Sequence, residues 1–200
     1  MTDEQTLKSF LQDLKKDIKM QFQTKNALML HILSANRPIN TASAKWEYID
    51  FENGVWRIPA DDMKMDKAHE IALSEQMIKI LKNQYKYTCN SIYVFPANNQ
   101  NGHLNKDTLG NVIRNIGAKN KYNVIASVHG FRATFKTICS QHEAELMQMG
   151  IGEKIVEECL AHKENNKVKY AYERNRATLE KKRALMQWYA DFLNSIENIF

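Results

Sequence analysis

An Asn53-Gly54 step lies between two runs rich in aromatic and β-branched residues, Trp46-Glu47-Tyr48-Ile49 and Val55-Trp56-Arg57-Ile58. Asn-Gly accepts the backbone of a tight turn, and flanking runs of this kind pair across it as a hairpin. A third strand is expected over residues 69–73, which places Lys64 in or near the turn before it. The chain must therefore build a small three-stranded antiparallel sheet into whatever surrounds it.

What surrounds it reads as helix. Leu7, Leu11, Leu14 and Ile18 recur at three- and four-residue spacing, an amphipathic pattern over residues 5–20. A more buried helix starts near Gln23, carries Leu28 to Leu33 and ends before Pro38. Helices are expected again over 74–87, 105–116, 131–145, 152–161 and 166–174, with a last one from about 178 to 198. Seven glycines and three prolines leave few breaks, and no repeat or linker composition interrupts the 200 residues. The expected architecture is a single mainly α domain holding a small three-stranded antiparallel β-sheet, an α+β fold.

Several residues able to handle a phosphodiester are spread along this frame: Arg37, Lys64, His129 with Arg132, His162 and Tyr172. Phosphoryl transfer to an enzyme nucleophile builds negative charge on non-bridging oxygens. Guanidinium groups stay charged and offer planar paired donors to such oxygens, so Arg37 and Arg132 are the expected clamp. His129 and Arg132, three apart at a helix start, can point to one side. Lys64, with Lys67 as local competitor, suits protonation of a departing 5′ oxygen. Tyr172 is the expected nucleophile, with Tyr170 and Tyr189 as competing phenols. At a reference pKa near 10 only about one phenol in a thousand is ionised at neutral pH, so it needs cations and a proton acceptor nearby. His129, His162 and the arginines are candidates for both.

Charge placement agrees. Residues 163–183 hold eight basic side chains against three glutamates, an excess equal to the +5 of the whole chain. Lys163, Lys167, Lys169 and Arg174 flank Tyr172 and, with Lys67, suit a polyanionic partner. Other chemistries find little support. Cys159 and His162 have no second pair at ligand spacing, which argues against zinc, and no Gly-rich phosphate loop suggests ATP use. Cys89, Cys139 and Cys159 are odd in number and scattered, as in a reducing cytoplasm, and no apolar run approaches a membrane span.

The segments together resemble the catalytic domain of tyrosine recombinases, the phage-type integrases, over about residues 20–190. The resemblance to integrases of satellite phages and genomic islands is carried by Trp46-Glu47-Tyr48-Ile49-Asp50 before Trp56-Arg57-Ile58-Pro59-Ala60, and by Met63-Lys64-Met65 with His69-Glu70-Ile71-Ala72-Leu73-Ser74. Leu160-Ala161-His162-Lys163-Glu164-Asn165-Asn166-Lys167-Val168 and the late Met186-Gln187-Trp188-Tyr189-Ala190-Asp191 add to it. The resemblance implies that Arg37, Lys64, His129, Arg132 and His162 surround the nucleophile Tyr172. It also implies a 3′-phosphotyrosine intermediate and rejoining of strands without metal, ATP or other cofactor. Residues 1–20 are then a leading helix or linker remnant, and 21–200 the catalytic domain with the helix 178–198 at its end.

Implied partners are double-stranded DNA at attachment sites, further copies in a homotetramer on DNA from a domain monomeric alone, and accessory DNA-bending or excisionase proteins. Members usually carry N-terminal DNA-binding domains, so an excised fragment or a truncation that binds DNA weakly and salt-dependently is expected. Type IB topoisomerases and a non-catalytic DNA-binding accessory are the competing readings. Two positions depart from the resemblance. Ala35 stands where glycine is common, and Asn40 where an acidic residue is common. The last helix offers an apolar face of Leu185, Trp188, Tyr189, Phe192, Leu193, Ile196 and Phe200, suited to its own core or to a neighbouring copy.

Overall fold

The structure, a computed structural model, describes residues 1, 3–63, 67–118, 120–161 and 179–199. Helix α1 (Glu4–Lys16) is capped by the Asp3 side chain, which accepts from the Thr6 N–H at 2.8 Å. Its apolar stripe, Leu7, Phe10, Leu11 and Leu14, is wholly buried. Phe10 meets the edge of Tyr122 at 5.1 Å and lies 5.4 Å from Phe131. Helix α2 (Phe22–Ser34) is buried around almost its whole circumference, as its unbroken apolar run requires. It ends at Ala35, and α3 (Pro38–Ala42) follows at once with Pro38 in its first turn, where the missing N–H costs nothing.

Strands β1 (Ile49–Asp50), β2 (Val55–Ile58) and β3 (His69–Ala72) form the antiparallel sheet in the order β1-β2-β3. Ile49 pairs with Trp56, and β3 runs from Ala72 opposite Val55 to His69 opposite Ile58. Asp50 closes the hairpin by accepting from the Asn53 N–H at 2.9 Å, while Gly54 takes the left-handed conformation (φ +59). On the exposed face Arg57 bridges the three strands, 2.6 Å from Asp50 and 3.3 Å from Glu70.

The first strand is shorter than its sequence suggests. Trp46–Tyr48 is a 3-10 turn rather than the start of a strand. Its hydrogen bonds lead elsewhere: the Trp46 N–H donates to the Ile92 carbonyl and the indole N–H to that of Thr88. The Tyr48 hydroxyl donates to Asp62 at 2.8 Å and accepts from Lys45 at 2.9 Å. Tertiary packing of the aromatic run thus overrides its β propensity.

Helices α4 (Glu75–Thr88) and α5 (Lys106–Asn115) agree with expectation, as do α8 (Glu153–Cys159) and α9 (Leu179–Ile196) within a residue or two at most ends. The helix expected over 131–145 is instead two, α6 (Gly130–Gln141) and α7 (Glu143–Gln148). His142 breaks the run with a non-helical backbone. Its ring packs edge-on against Trp188 and Phe192 of α9, at 5.3 and 5.0 Å, a contact no local pattern specifies. The helix expected over 166–174 lies outside the described residues.

Helix α9 folds onto its own chain. Leu185, Met186, Tyr189, Ala190, Leu193 and Ile196 are buried in the shared core, and the helix packs on α8, β3 and α2. Gln187 accepts from the Glu75 N–H at the start of α4, and Arg183 donates to the carbonyl of Asn53 at the hairpin tip. Among the described residues no helix is long and apolar enough to cross a membrane.

Candidate active site

The turn after α2 carries Arg37. Ala35 ends the helix in the left-handed region (φ +46), a conformation glycine adopts freely and alanine at a cost of about 1–2 kcal/mol. The backbone demand behind the common glycine is therefore still present. Asn36 is buried, and its side-chain oxygen accepts from the Arg37 N–H at 2.8 Å. Arg37 itself is extended (φ −71, ψ 142), as the following proline favours. Its side chain is half-buried, and among the described residues its buried Nη1 has no hydrogen-bond partner.

Asn40, one turn further on, has a use a carboxylate would not serve. Its Nδ2 donates to the Met63 sulfur at 3.0 Å and approaches Asn36 Oδ1 at 3.4 Å. The acceptor is a buried thioether, so an amide donor suits the position.

Arg132 comes from the first turn of α6 and is only 9% exposed. Nη1 donates to the Ala35 carbonyl at 2.8 Å, and Nη2 to the Leu160 carbonyl at 2.5 Å. One guanidinium thus joins two left-handed turns, at Ala35 and just before Ala161 (φ +50). Two donors are taken of the five a guanidinium offers, leaving others for an anion. Burial, then the charge of Arg37, lowers its pKa to about 10, while Glu157 opposes the fall. Arg132 therefore remains a cation at neutral pH, with a second cation within electrostatic reach. Such a pair is destabilising alone and is relieved by a bound anion.

His129 is exposed at the start of α6, and its side chain makes no capping bond. The cap comes from Ser127, whose hydroxyl accepts from the Gly130 N–H at 2.9 Å. A Cβ on Gly130 would sit 2.9 Å from that hydroxyl, so the turn depends on glycine. Lys67 is exposed just before β3. The structure thus brings Arg37 and Arg132 together, with His129 beside Arg132 on the first turn of α6. Lys64, His162, Lys163, Lys167, Lys169, Tyr172 and Arg174 lie outside the described residues, as does Tyr170. Tyr189 is fully buried, its ring edge-on to Phe135 at 4.8 Å and its phenol pushed well above the usual range by burial. An attacking phenol must reach DNA, so Tyr189 is a core residue. No cluster of three or more His, Cys, Asp or Glu side chains among the described residues is arranged to hold a metal.

Two buried histidines near the site were not among the expected site residues. His31, 0% exposed in α2, uses Nε2 on the Val128 carbonyl at 2.8 Å and Nδ1 near the Thr41 hydroxyl at 3.3 Å. It ties the approach to His129 to α2 and α3. Its only signal is a lone imidazole inside an apolar run. His69, 6% exposed, points inward from β3, and the strand alternation with Ile71 was the available clue.

Burial lowers the pKa of His31 to about 4 and of His69 to about 3, with nearby arginines adding to the fall. Both rings are neutral in the folded protein at neutral pH. Between about 6.5 and these values the unfolded chain binds protons that the folded one refuses, so stability falls as pH drops through that window. The slope is expected to reach up to about 1.4 kcal/mol per pH unit for each ring. Urea unfolding at pH 7, 6 and 5 measures it, and His31→Gln is expected to reduce the slope. A flat profile would contradict two buried neutral rings.

The fold is shared with an integrase from mycobacterium phage Brujita, at a TM-score of 0.64 and 18% identity over 96% of this chain and 62% of that one. It is shared also with XerA recombinase, at a TM-score of 0.57 and 12% identity over 94% of this chain and 61% of that one. At these identities the likeness is one of fold alone. The sequence goes further: residues 1–178 match the Phage integrase family, and the chain belongs to that family.

Curated relatives include prophage integrase IntA of Escherichia coli K12, 29% identical over 90% of this chain and 41% of that protein. The integrase of Enterobacteria phage P4 is 28% identical over 88% of this chain and 41% of its own length. The integrase of Shigella phage Sf6 is 34% identical over 80% of this chain and 39% of its own. The chain thus spans about two fifths of the curated relatives it matches.

Proposed function

We propose that this chain is the strand-cleaving and strand-joining domain of a site-specific DNA recombinase that integrates or excises a mobile element. The observation that carries the reading is Arg132, a buried cation pinned on the Ala35 and Leu160 carbonyls, with the charge of Arg37 within electrostatic reach of it. A scissile phosphate is the ligand whose charge and paired oxygens suit that arrangement.

In the proposed reaction the Tyr172 oxygen attacks phosphorus, forming the phosphotyrosine bond as the bond to the 5′ oxygen breaks. The phenolic proton passes to a histidine, His129 or His162, and Lys64 gives a proton to the departing 5′ oxygen. Arg37 and the free donors of Arg132 hold the non-bridging oxygens as charge builds on them. The covalent link conserves the bond energy, so a 5′ hydroxyl of another strand reverses the step and joins to it. This needs neither metal nor nucleotide. Lys67, Lys163, Lys167, Lys169 and Arg174 are proposed phosphate contacts, and attachment-site DNA carrying four copies is the proposed working assembly.

Covalent trapping tests the reading. The protein and a Tyr172→Phe control are incubated with nicked duplexes that lose a short 5′-hydroxyl strand on cleavage. An SDS-resistant adduct mapped by mass spectrometry to Tyr172, and absent from the control, is the expected result. An adduct on Tyr170 would keep the chemistry and replace the nucleophile. Salt-sensitive DNA binding without an adduct would overturn the catalytic reading for this chain.

A further inference from the structure

Arg37 and the pair His129 and Arg132 come from distant parts of the chain, and one buried ring touches the supports of both. His31 lies in the last turn of α2, the helix whose end leads to Arg37. Its Nε2 is 2.8 Å from the carbonyl oxygen of Val128, the residue before His129, across 97 positions of sequence. Its Nδ1 is 3.3 Å from the Thr41 hydroxyl on α3, the short helix that follows Arg37. The ring also stands edge-on to Phe131, the residue before Arg132, with centroids 6.4 Å apart at 88°.

These partners fix the tautomer. A carbonyl only accepts, so Nε2 holds the proton; Nδ1 is then an acceptor, and the Thr41 hydroxyl donates to it. Val128 precedes the cap of α6, so its carbonyl lies outside the helical ladder. It is buried as well, and a buried carbonyl needs a donor. His31 is the only polar residue between Ala27 and Leu33, in a helix where packing alone would be met by another aliphatic side chain. An aliphatic residue at position 31 would fill the space and leave the Val128 acceptor bare. A lysine would bring a further positive charge towards Arg132, whereas the neutral ring brings a donor without one.

We propose that His31 is a positioning residue for the cleavage reaction: its Nε2–H, held on the Val128 carbonyl, sets where His129 and the first turn of α6 stand relative to Arg37. The role rests on the strand-cleavage reading given above and extends it to a residue that touches no reacting atom. His31 acts through His129, a candidate proton acceptor, and through Arg132 one turn further on.

The test compares wild-type protein with His31→Leu, which fills the space without a donor, and with His31→Gln, which keeps an N–H at similar reach. The first readout needs no DNA. Ring ¹H–¹⁵N spectra of the wild type show which nitrogen of His31 bears the proton, and Nε2–H is expected at pH 7. The resonances of the His129 ring are expected to move in His31→Leu and to return towards wild type in His31→Gln. The second readout is single-turnover adduct formation on the nicked duplex at saturating DNA, at a temperature where the proteins are folded. His31→Leu is expected to slow it by about ten- to a hundred-fold, the range for displacing a group that orients the reacting centre. His31→Gln is expected to recover most of the loss.

A proton on Nδ1 of wild-type His31 would overturn the proposal, because the Val128 carbonyl would then have no donor from the ring. That result is read on the wild type, so a leucine variant that fails to fold does not remove the test. Equal rates in all three proteins would also overturn it. So would equal losses in both variants with the His129 resonances unmoved, the behaviour of a core ring that only fills space. If wild type forms no adduct, the cleavage reading fails. The tautomer and the His129 resonances then still decide whether His31 holds the turn before α6.

Discussion

Replacing Arg132 with alanine is expected to weaken the fold and remove strand cleavage together. The guanidinium occupies the carbonyls of Ala35 and Leu160, both on turns without helical continuation. Each buried carbonyl left without a donor costs about 1–3 kcal/mol, so a loss of about 2–5 kcal/mol is expected in urea unfolding. Relief of the repulsion with Arg37 offsets part of it. Adduct formation is expected to fall by at least about a thousand-fold, because an oxyanion donor is lost and the two turns that place Arg37 and the end of α8 separate. Arg132→Lys keeps the charge, but one ammonium cannot span both carbonyls and also meet a phosphate in plane. It is expected to recover part of the stability and little of the rate. Full activity in the lysine variant would contradict a role built on the guanidinium fork.

Arg37→Ala is expected to lose the chemistry and keep the fold. The side chain is half-buried, and its Nη1 has no partner among the described residues. Removing it deletes a like charge near Arg132 and, among the described residues, breaks no side-chain hydrogen bond. Unfolding free energy is expected to stay level or rise, while single-turnover cleavage drops by about a hundred- to a thousand-fold. The two arginines thus separate under one pair of measurements: both changes slow the reaction, and only one destabilises. A stability loss in Arg37→Ala matching that of Arg132→Ala would show that Arg37 is structural as well.

Much of this was legible in the sequence because the signals are local. The Asn53-Gly54 turn, the apolar runs of α1 and α2 and the order of the basic residues each depend on neighbours a few positions away. Arg37 and Arg132 were named as a pair on chemistry, and in the fold the charge of Arg37 lies within electrostatic reach of Arg132. What could not be read depends on distant partners. Trp46–Tyr48 turns into a 3-10 helix because its donors find Thr88 and Ile92. The break at His142 follows from aromatic rings on α9. His31 looks like a stray in an apolar segment until Val128 is brought to it, and His69 until the sheet turns it inward. The use of Asn40 also required knowing that Met63 stands opposite.

The packing of α9 has a consequence for how the protein is made. Leu185, Tyr189 and Leu193 fill the core beside Phe135, and Lys182 and Arg183 reach α8 and the hairpin tip. These contacts join residues far apart in sequence, the kind that close late in folding. While a ribosome is still synthesising the segment before residue 179, the hairpin and the first helices can form, but the ring of Phe135 lacks its cover and α8 lacks one of its anchors. A nascent chain therefore holds Arg37 and Arg132 before the core that α9 completes is closed. Translation itself delays the moment at which the last helix closes over that core.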